Sequence, residues 1–183
     1  METHLENEDI NRFLTGIERR AFGMARFATR NDDDALDLVQ EAMFGFVRNY
    51  ADRPAEEWPV LFHRILQSRI TDWYRRTAVR DRFRAWLGRG GDDDDGADPF
   101  DAIADPSSPD PAEQLLRRDI SDAVAKALRT LSLRQRQAFL LRVWEGLDVA
   151  ETAFAMKCSE GSVKTHLSRA IHALRSKLEE YRP

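Results

Sequence analysis

Residues 89–112 read RGGDDDDGADPFDAIADPSSPDPA, with four prolines (Pro99, Pro106, Pro109, Pro111), three glycines and four consecutive aspartates. No regular element is expected to form there. Each proline removes a backbone donor, the glycines resist ordering, and the like charges repel. An extended tether is expected, some 21 residues of it reaching at most about 70 Å at roughly 3.3 Å per residue. The 183-residue chain is therefore read as a domain over 1–88, an acidic Pro/Gly-rich linker over 89–112, and a second domain over 113–183. Each flanking part is long enough for a small hydrophobic core.

Both flanks carry helical periodicity and no sustained alternation, so the expected fold is all-α, two small helical domains. Behind the cap-rich NDDD, residues 34–50 place Leu36, Val39, Met43, Phe46, Val47 and Tyr50 on a buried stripe. Over 60–86 the stripe is Phe62, Ile65, Leu66, Ile70 and Trp73. Further helices are read in SDAVAKALRTL, in LRQRQAFLLRVWEG (closing at Gly146), in DVAETAFAMK, and from Ser159 to about Glu180.

The net charge of −4 conceals strong segregation. Residues 59–91 hold 8 basic and 2 acidic side chains, 92–112 hold 8 acidic and no basic ones, and 113–183 hold 13 basic and 9 acidic ones. Local field, rather than total charge, steers association, so two basic blocks divided by an acidic strip point to an anionic partner. One cysteine excludes an internal disulfide framework, and with four histidines it makes a structural metal site a poor fit. No apolar run reaches the ~20 residues of a membrane span, and METHLENEDI is unlike a signal peptide. A cytoplasmic location, without membrane insertion, is expected.

In DVAETAFAMKCSEGSVKTHLSRA, small Ala153 is followed ten residues later by Val163, with a short break between. This is the helix-turn-helix arrangement, whose second helix meets base edges through its N-terminal residues. Ser159 is the expected N-cap. Val163, Leu167, Ala170, Ile171 and Leu174 form the inward stripe, and Gly161, Lys164, Thr165, Ser168 and His172 face outward. Arg169 and Arg175 flank them, and Arg134 and Arg136 offer a second set of phosphate contacts. An αα-hairpin with a solvated outer face has the same spacing and stays open.

The stretch LSLRQRQAFLLRVWEGLDVAETAFAMKCSEGSVKTHLSRAIHALRSKLEE resembles the C-terminal, minus-thirty-five-reading domain of the extracytoplasmic-function (ECF) sigma factors of bacterial RNA polymerase. Glu145, Gly146, Val163, Lys164, Thr165, Arg169, Ala170, Leu174 and Arg175 carry the likeness. Lys157 departs from it where glycine is usual, and Thr152 where Ile or Leu is usual. The resemblance implies minus-thirty-five contacts from Arg134, Arg136, Ser159, Gly161, Ser162, Lys164, Thr165, His166, Ser168 and Arg169.

DALDLVQEAMFGFVRNY resembles the polymerase-binding helix of the same family. Asp37, Gln40 and Phe44 lie on a stripe apart from the buried one and are the expected docking residues; one stray exposed aromatic on an ordinary helix is the alternative. In the following basic block eight arginines mix with Trp58, Phe62, Trp73, Tyr74, Phe83 and Trp86. Cations for phosphates and rings for unstacked bases are what capture of a displaced strand requires. DWYRR resembles the family's minus-ten-recognising helix, with Ser68 where asparagine is usual. Phe62 and Trp73 are assigned to the core. Trp58, His63, Arg64, Ser68, Asp72, Tyr74, Arg75, Arg76 and Arg80 are assigned to minus-ten DNA, and the loop from about Arg53 to Pro59 to base capture.

The resemblance covers about 10–87 and 113–180, and implies a monomeric sigma factor with core polymerase and promoter DNA as partners. An anti-sigma factor is a further partner in many members. It also implies a path for the acidic linker through the RNA channel, as a nucleic-acid mimic; a solvated spacer would read the same. No cofactor and no enzyme activity are expected, since consecutive aspartates on a flexible segment are not a preorganised Mg²⁺ site and no nucleophile–base set occurs. The rival reading is a stand-alone helix-turn-helix regulator.

Overall fold

The computed structural model describes residues 2–86 and 121–179. The linker assigned to 89–112 lies outside the described residues, as do the side chains of Phe83 and Trp86. The chain divides into two compact units, Met1–Ala97 and Asp98–Pro183, and no β-strand occurs among the described residues.

The first unit is a three-helix bundle: α1 (Glu2–Thr29), α2 (Asp32–Tyr50) and α3 (Trp58–Trp86), with a single 3-10 turn (Ala55–Glu57) before α3. Each helix packs on the other two. The α1–α2 corner is tight because Arg30 turns left-handed (φ 56°) and its N–H returns to the Arg26 carbonyl at 3.0 Å. Asn31 then caps α2, accepting from the Asp34 N–H at 2.9 Å. Asp32, Asp33 and Asp34 occupy the first turn, where the helix dipole favours negative charge. The buried Arg26 guanidinium pairs with Asp32 across the corner.

An aromatic cluster fills the other end. Phe13 lies 5.3 Å from Phe46 and 5.6 Å from Trp58 between ring centroids, and Phe46 lies 6.2 Å from Phe62. Trp58 is buried, and its indole N–H donates to the Arg53 carbonyl at 2.7 Å, pinning the loop before α3. His63 is wholly buried. Both correct the sequence expectation that they face DNA. Trp58, Phe62, Leu66 and Ile70 recur every four residues and form one stripe, and His63 flanks it. Trp73, expected in the core, is only half-buried, because it lines an open groove at the α1–α2 corner. Leu36 and Val47 are exposed rather than buried.

The second unit contains α4 (residues 121–129), α5 (Leu133–Phe139) with a π-helical continuation (Leu140–Trp144), α6 (Val149–Met156) and α7 (Glu160–Leu178). Ser132 and Gln135 cap α5 reciprocally, and Asp148 and Glu151 do the same for α6. The π turn ends with the Glu145 N–H on the Leu140 carbonyl at 3.0 Å, and Gly146 follows at φ +73°. Leu128, Leu141, Val163 and Ala170 are fully buried and form the centre of this unit.

Two left-handed positions test this backbone with opposite signs. Nothing lies within 4 Å of a Cβ at Gly146, so Gly146→Ala meets only the left-handed penalty and is expected to destabilise the unit by about 0.5 kcal/mol once glycine's lost unfolded-state freedom is allowed for. Lys157, at φ 53°, already bears that penalty. Lys157→Gly is expected to gain about 0.5 kcal/mol after glycine's unfolded-state freedom is subtracted. Urea midpoints followed by far-UV circular dichroism check both.

Candidate functional site

The α6–α7 corner is built from backbone upward. Helix α6 ends at Lys157 in the left-handed conformation, and the Cys158 N–H reaches back to the Ala153 carbonyl at 3.1 Å in a Schellman-type closure. Lysine thus adopts the geometry glycine would supply. Ser159 caps α7, its hydroxyl accepting from the Ser162 N–H at 3.1 Å. Val163 is fully buried and Ala153 nearly so, as the ten-residue spacing requires. Thr152, in place of a larger aliphatic residue, is also fully buried, and its hydroxyl is satisfied by the Asp148 carbonyl at 2.6 Å.

The outer face of α7 exposes Gly161, Lys164, Thr165, Ser168, Arg169 and His172, with Ser159 at its tip. Ser162 and His166 are half-buried on its flank. Burial, then the neighbouring Arg134 and Arg169, push the His166 imidazole below its usual pKa. Burial raises the Cys158 thiol, against a smaller opposing pull from Arg134.

Arg136 corrects the expectation of a free phosphate contact. It is buried, donating from Nε to the Leu128 carbonyl at 3.1 Å and from Nη2 to the Leu131 carbonyl at 3.0 Å. It closes the C-terminal end of α4, which would otherwise leave carbonyls without partners. Arg134 is half-buried, and its Nη1 donates to the Met156 carbonyl at 2.8 Å and to Gln137 Oε1 at 3.4 Å. Sequence placed both at the start of a helix beside the corner; only packing shows where the guanidinium groups go.

On the first unit, α2 presents a second stripe opposite its core. Phe44 is 75% exposed, Leu36 45% and Val47 42%, and Asp37 and Gln40 stand exposed among them. Three apolar side chains in water on one helix face are far more than a stray aromatic. The outer face of α3 exposes Asp72, Tyr74, Arg75, Arg76 and Arg80, with Arg64 and Ser68 half-buried. The Ser68 hydroxyl folds back onto the Arg64 carbonyl at 2.9 Å. Asp72 sits 4.0 Å from Arg75, and Arg69, not singled out from sequence, reaches Glu41 of α2 at 3.6 Å. Tyr74 and Arg80 also line an open groove of about 430 Å³ with Arg30, Asn31 and Trp73. Among the described residues no three His, Cys, Asp or Glu side chains are placed to hold a metal ion, and no helix is long and apolar enough to cross a membrane.

The chain thus comprises a three-helix unit with two exposed, chemically distinct faces and a separate unit with helix-turn-helix geometry. That defines an all-helical, two-unit protein of the helix-turn-helix class. Comparison with known proteins narrows that class. Residues 121–174 match the family described as sigma-70, region 4. Over 147 residues the chain is 34% identical to an RNA polymerase sigma-E factor of Streptomyces avermitilis, covering 80% of this chain and 72% of that protein. It is 27% identical over 166 residues to the ECF RNA polymerase sigma factor SigF of Caulobacter vibrioides, covering 90% and 82%. The fold matches that of the sigma factor RpoE of Bartonella quintana, solved in complex with the anti-sigma factor NepR, with a TM-score of 0.65 at 23% identity over 96% of this chain and 99% of that one. The chain belongs to the ECF sigma factors of RNA polymerase, which direct promoter-specific transcription initiation.

Arg136→Ala removes a cation bonded to the end of α4 and is expected to destabilise the second unit by about 3 kcal/mol. Thermal unfolding of the variant would show this. Loss of DNA affinity without loss of stability would restore Arg136 as a phosphate contact.

Proposed function

We propose that the labour of promoter recognition is split between the units, with 1–88 acting as region 2 and 113–183 as region 4. The carrying observation is the exposed α2 stripe, with Phe44 three-quarters exposed, a cost in water that a docking partner would remove. In this reading Asp37, Gln40 and Phe44, joined by Leu36 and Val47, dock on core polymerase. Arg64, Asp72, Tyr74, Arg75, Arg76 and Arg80 take the minus-ten element, the arginines on phosphates and the tyrosine on a displaced base. Trp58 and His63 support that surface from beneath.

The outer face of α7 reads the minus-thirty-five element in the major groove: Lys164 and Arg169 bring charge, and Gly161, Thr165 and Ser168 allow close approach. The acidic segment 89–112 tethers the units. The protein acts in the cytoplasm as a monomer without catalytic chemistry or cofactor, and an anti-sigma factor is a further partner, a reading supported by the Bartonella protein's having been solved in complex with one.

Run-off transcription from fragmented genomic DNA, with sigma-free core polymerase, is the direct test. Discrete transcripts that require this chain are expected, and their aligned start sites supply the promoter. Phe44→Ala is expected to weaken association with core about five-fold or more. Arg169→Ala is expected to leave that association unchanged while lowering duplex affinity and reducing the salt slope by about 1. If both variants lose only duplex binding, the proposed split is wrong.

A further inference from the structure

The α1–α2 corner and the second half of α3 enclose the open groove of about 430 Å³ on the first unit. Sites for small ligands span about 300–1,000 Å³, so there is room for one nucleotide. The walls differ in chemistry. Trp73 and Tyr74 supply aromatic surface from α3, with Tyr74 44% exposed. Arg30 and Arg80 bring a cation from each side, one from the corner and one from α3. Asn31 and the half-buried Asp34 bring polar groups from the start of α2. The Asn31 Oδ1 is taken by the Asp34 N–H at 2.9 Å, which leaves its Nδ2 to donate.

These charges are not spent within the protein. Arg30, Asp34 and Arg80 form no ion pair among the described residues, whereas Arg26, Arg69 and Arg75 each face a carboxylate. Arg30 also sits at φ 56°, which glycine or asparagine would hold at lower cost. Arginine there adds a guanidinium to the rim of the groove.

We propose that this groove seats one guanine nucleotide of the displaced strand, its base on Trp73 and Tyr74 and its phosphate on Arg30 and Arg80. The seat deepens, and rests on, the reading of α3 as a strand-capturing helix, and it brings the α1–α2 corner into that contact. Aromatic faces accept any base, so Asp34 makes the choice. A carboxylate repels phosphate, which keeps the backbone on the arginine side and turns the base edge towards α2. Ionised, it only accepts, and two adjacent N–H donors suit it best. Guanine offers N1–H and N2–H side by side, with O6 next to them for the Asn31 Nδ2. Thymine offers one donor, and adenine and cytosine set an amino group beside a ring acceptor. In a duplex that edge is already paired, so the groove selects guanine only in single strands.

The test titrates the full chain, alone and with core polymerase, against labelled single strands of about 12 nucleotides followed by fluorescence anisotropy. One strand is oligo(dT) and the other carries a single central deoxyguanosine. The second is expected to bind about ten-fold tighter, and the difference is expected to vanish when both are annealed to their complements. Asp34→Asn is expected to remove the preference without weakening oligo(dT). Arg30→Gln is expected to weaken both strands alike, about five-fold, and to lower the salt slope by about 1.

Equal affinity for the two strands, or a preference that survives Asp34→Asn or annealing, overturns the guanine seat. An Arg30→Gln protein with wild-type affinity overturns the phosphate contact. Arg76, on the exposed face of α3 and outside the groove lining, separates this seat from the reading it rests on. If Arg76→Gln weakens strand binding while the Arg30 and Asp34 variants do not, α3 captures the strand without the groove. If wild type binds no single strand with or without core, the strand-capturing reading of α3 fails and the seat fails with it.

Discussion

The second unit depends on closing the carbonyl ends of short helices. Helices of seven to nine described residues leave a large share of their backbone acceptors without intrahelical partners, and such groups are costly when buried. One segment supplies the answer at three junctions. Arg136 closes the end of α4, Arg134 the end of α6, and Arg142 donates to the Leu147 carbonyl between the π turn and α6. Arginine suits the task because its planar fork reaches several carbonyls at once and stays charged. The corner that presents α7 is thus held from outside itself, by residues on the preceding helix.

The first unit faces a different constraint. Its three longer helices bury enough apolar surface to be held by packing, centred on the Phe13–Phe46–Trp58–Phe62 rings. Stability won there lets α2 keep Leu36, Phe44 and Val47 in water and lets α3 hold a row of arginines apart from the core. Trp58 joins the two requirements, since the ring that fills the core also holds the loop before α3 by its indole N–H.

Much of this was legible in the sequence. The all-helical class, the α2, α6 and α7 spans, the Asn31 and Ser159 caps and the Val163–Ala153 packing all follow from periodicity and capping chemistry. So does the outward face of α7, whose short and basic residues alternate with Val163, Ala170 and Leu174 at helical spacing. Helix α1 was legible as well, through Ile10, Phe13, Ile17 and Met24, yet the sequence reading assigned no element there. The errors have a common form. Trp58, His63 and Arg136 are amphipathic or polar, and their types suit DNA as well as they suit a core or a helix end. For Trp58 the four-residue spacing to Phe62, Leu66 and Ile70 favoured burial. Nothing local indicates that Arg136 spans eight residues back to Leu128.

Sequence by itself therefore determined the all-helical class, the spans of α2, α6 and α7 and the apolar face of α7, because hydrogen bonding within a turn and burial at a period of 3.6 are local matters. The left-handed corner at Lys157 followed only from the resemblance, in which glycine is usual at that position. Tertiary structure alone decided which cations are free to meet phosphate and which are spent on the protein's own carbonyls. It also decided which of two apolar stripes on α2 is core. Those outcomes depend on what lies opposite a side chain in space, and a pattern along one chain does not contain that.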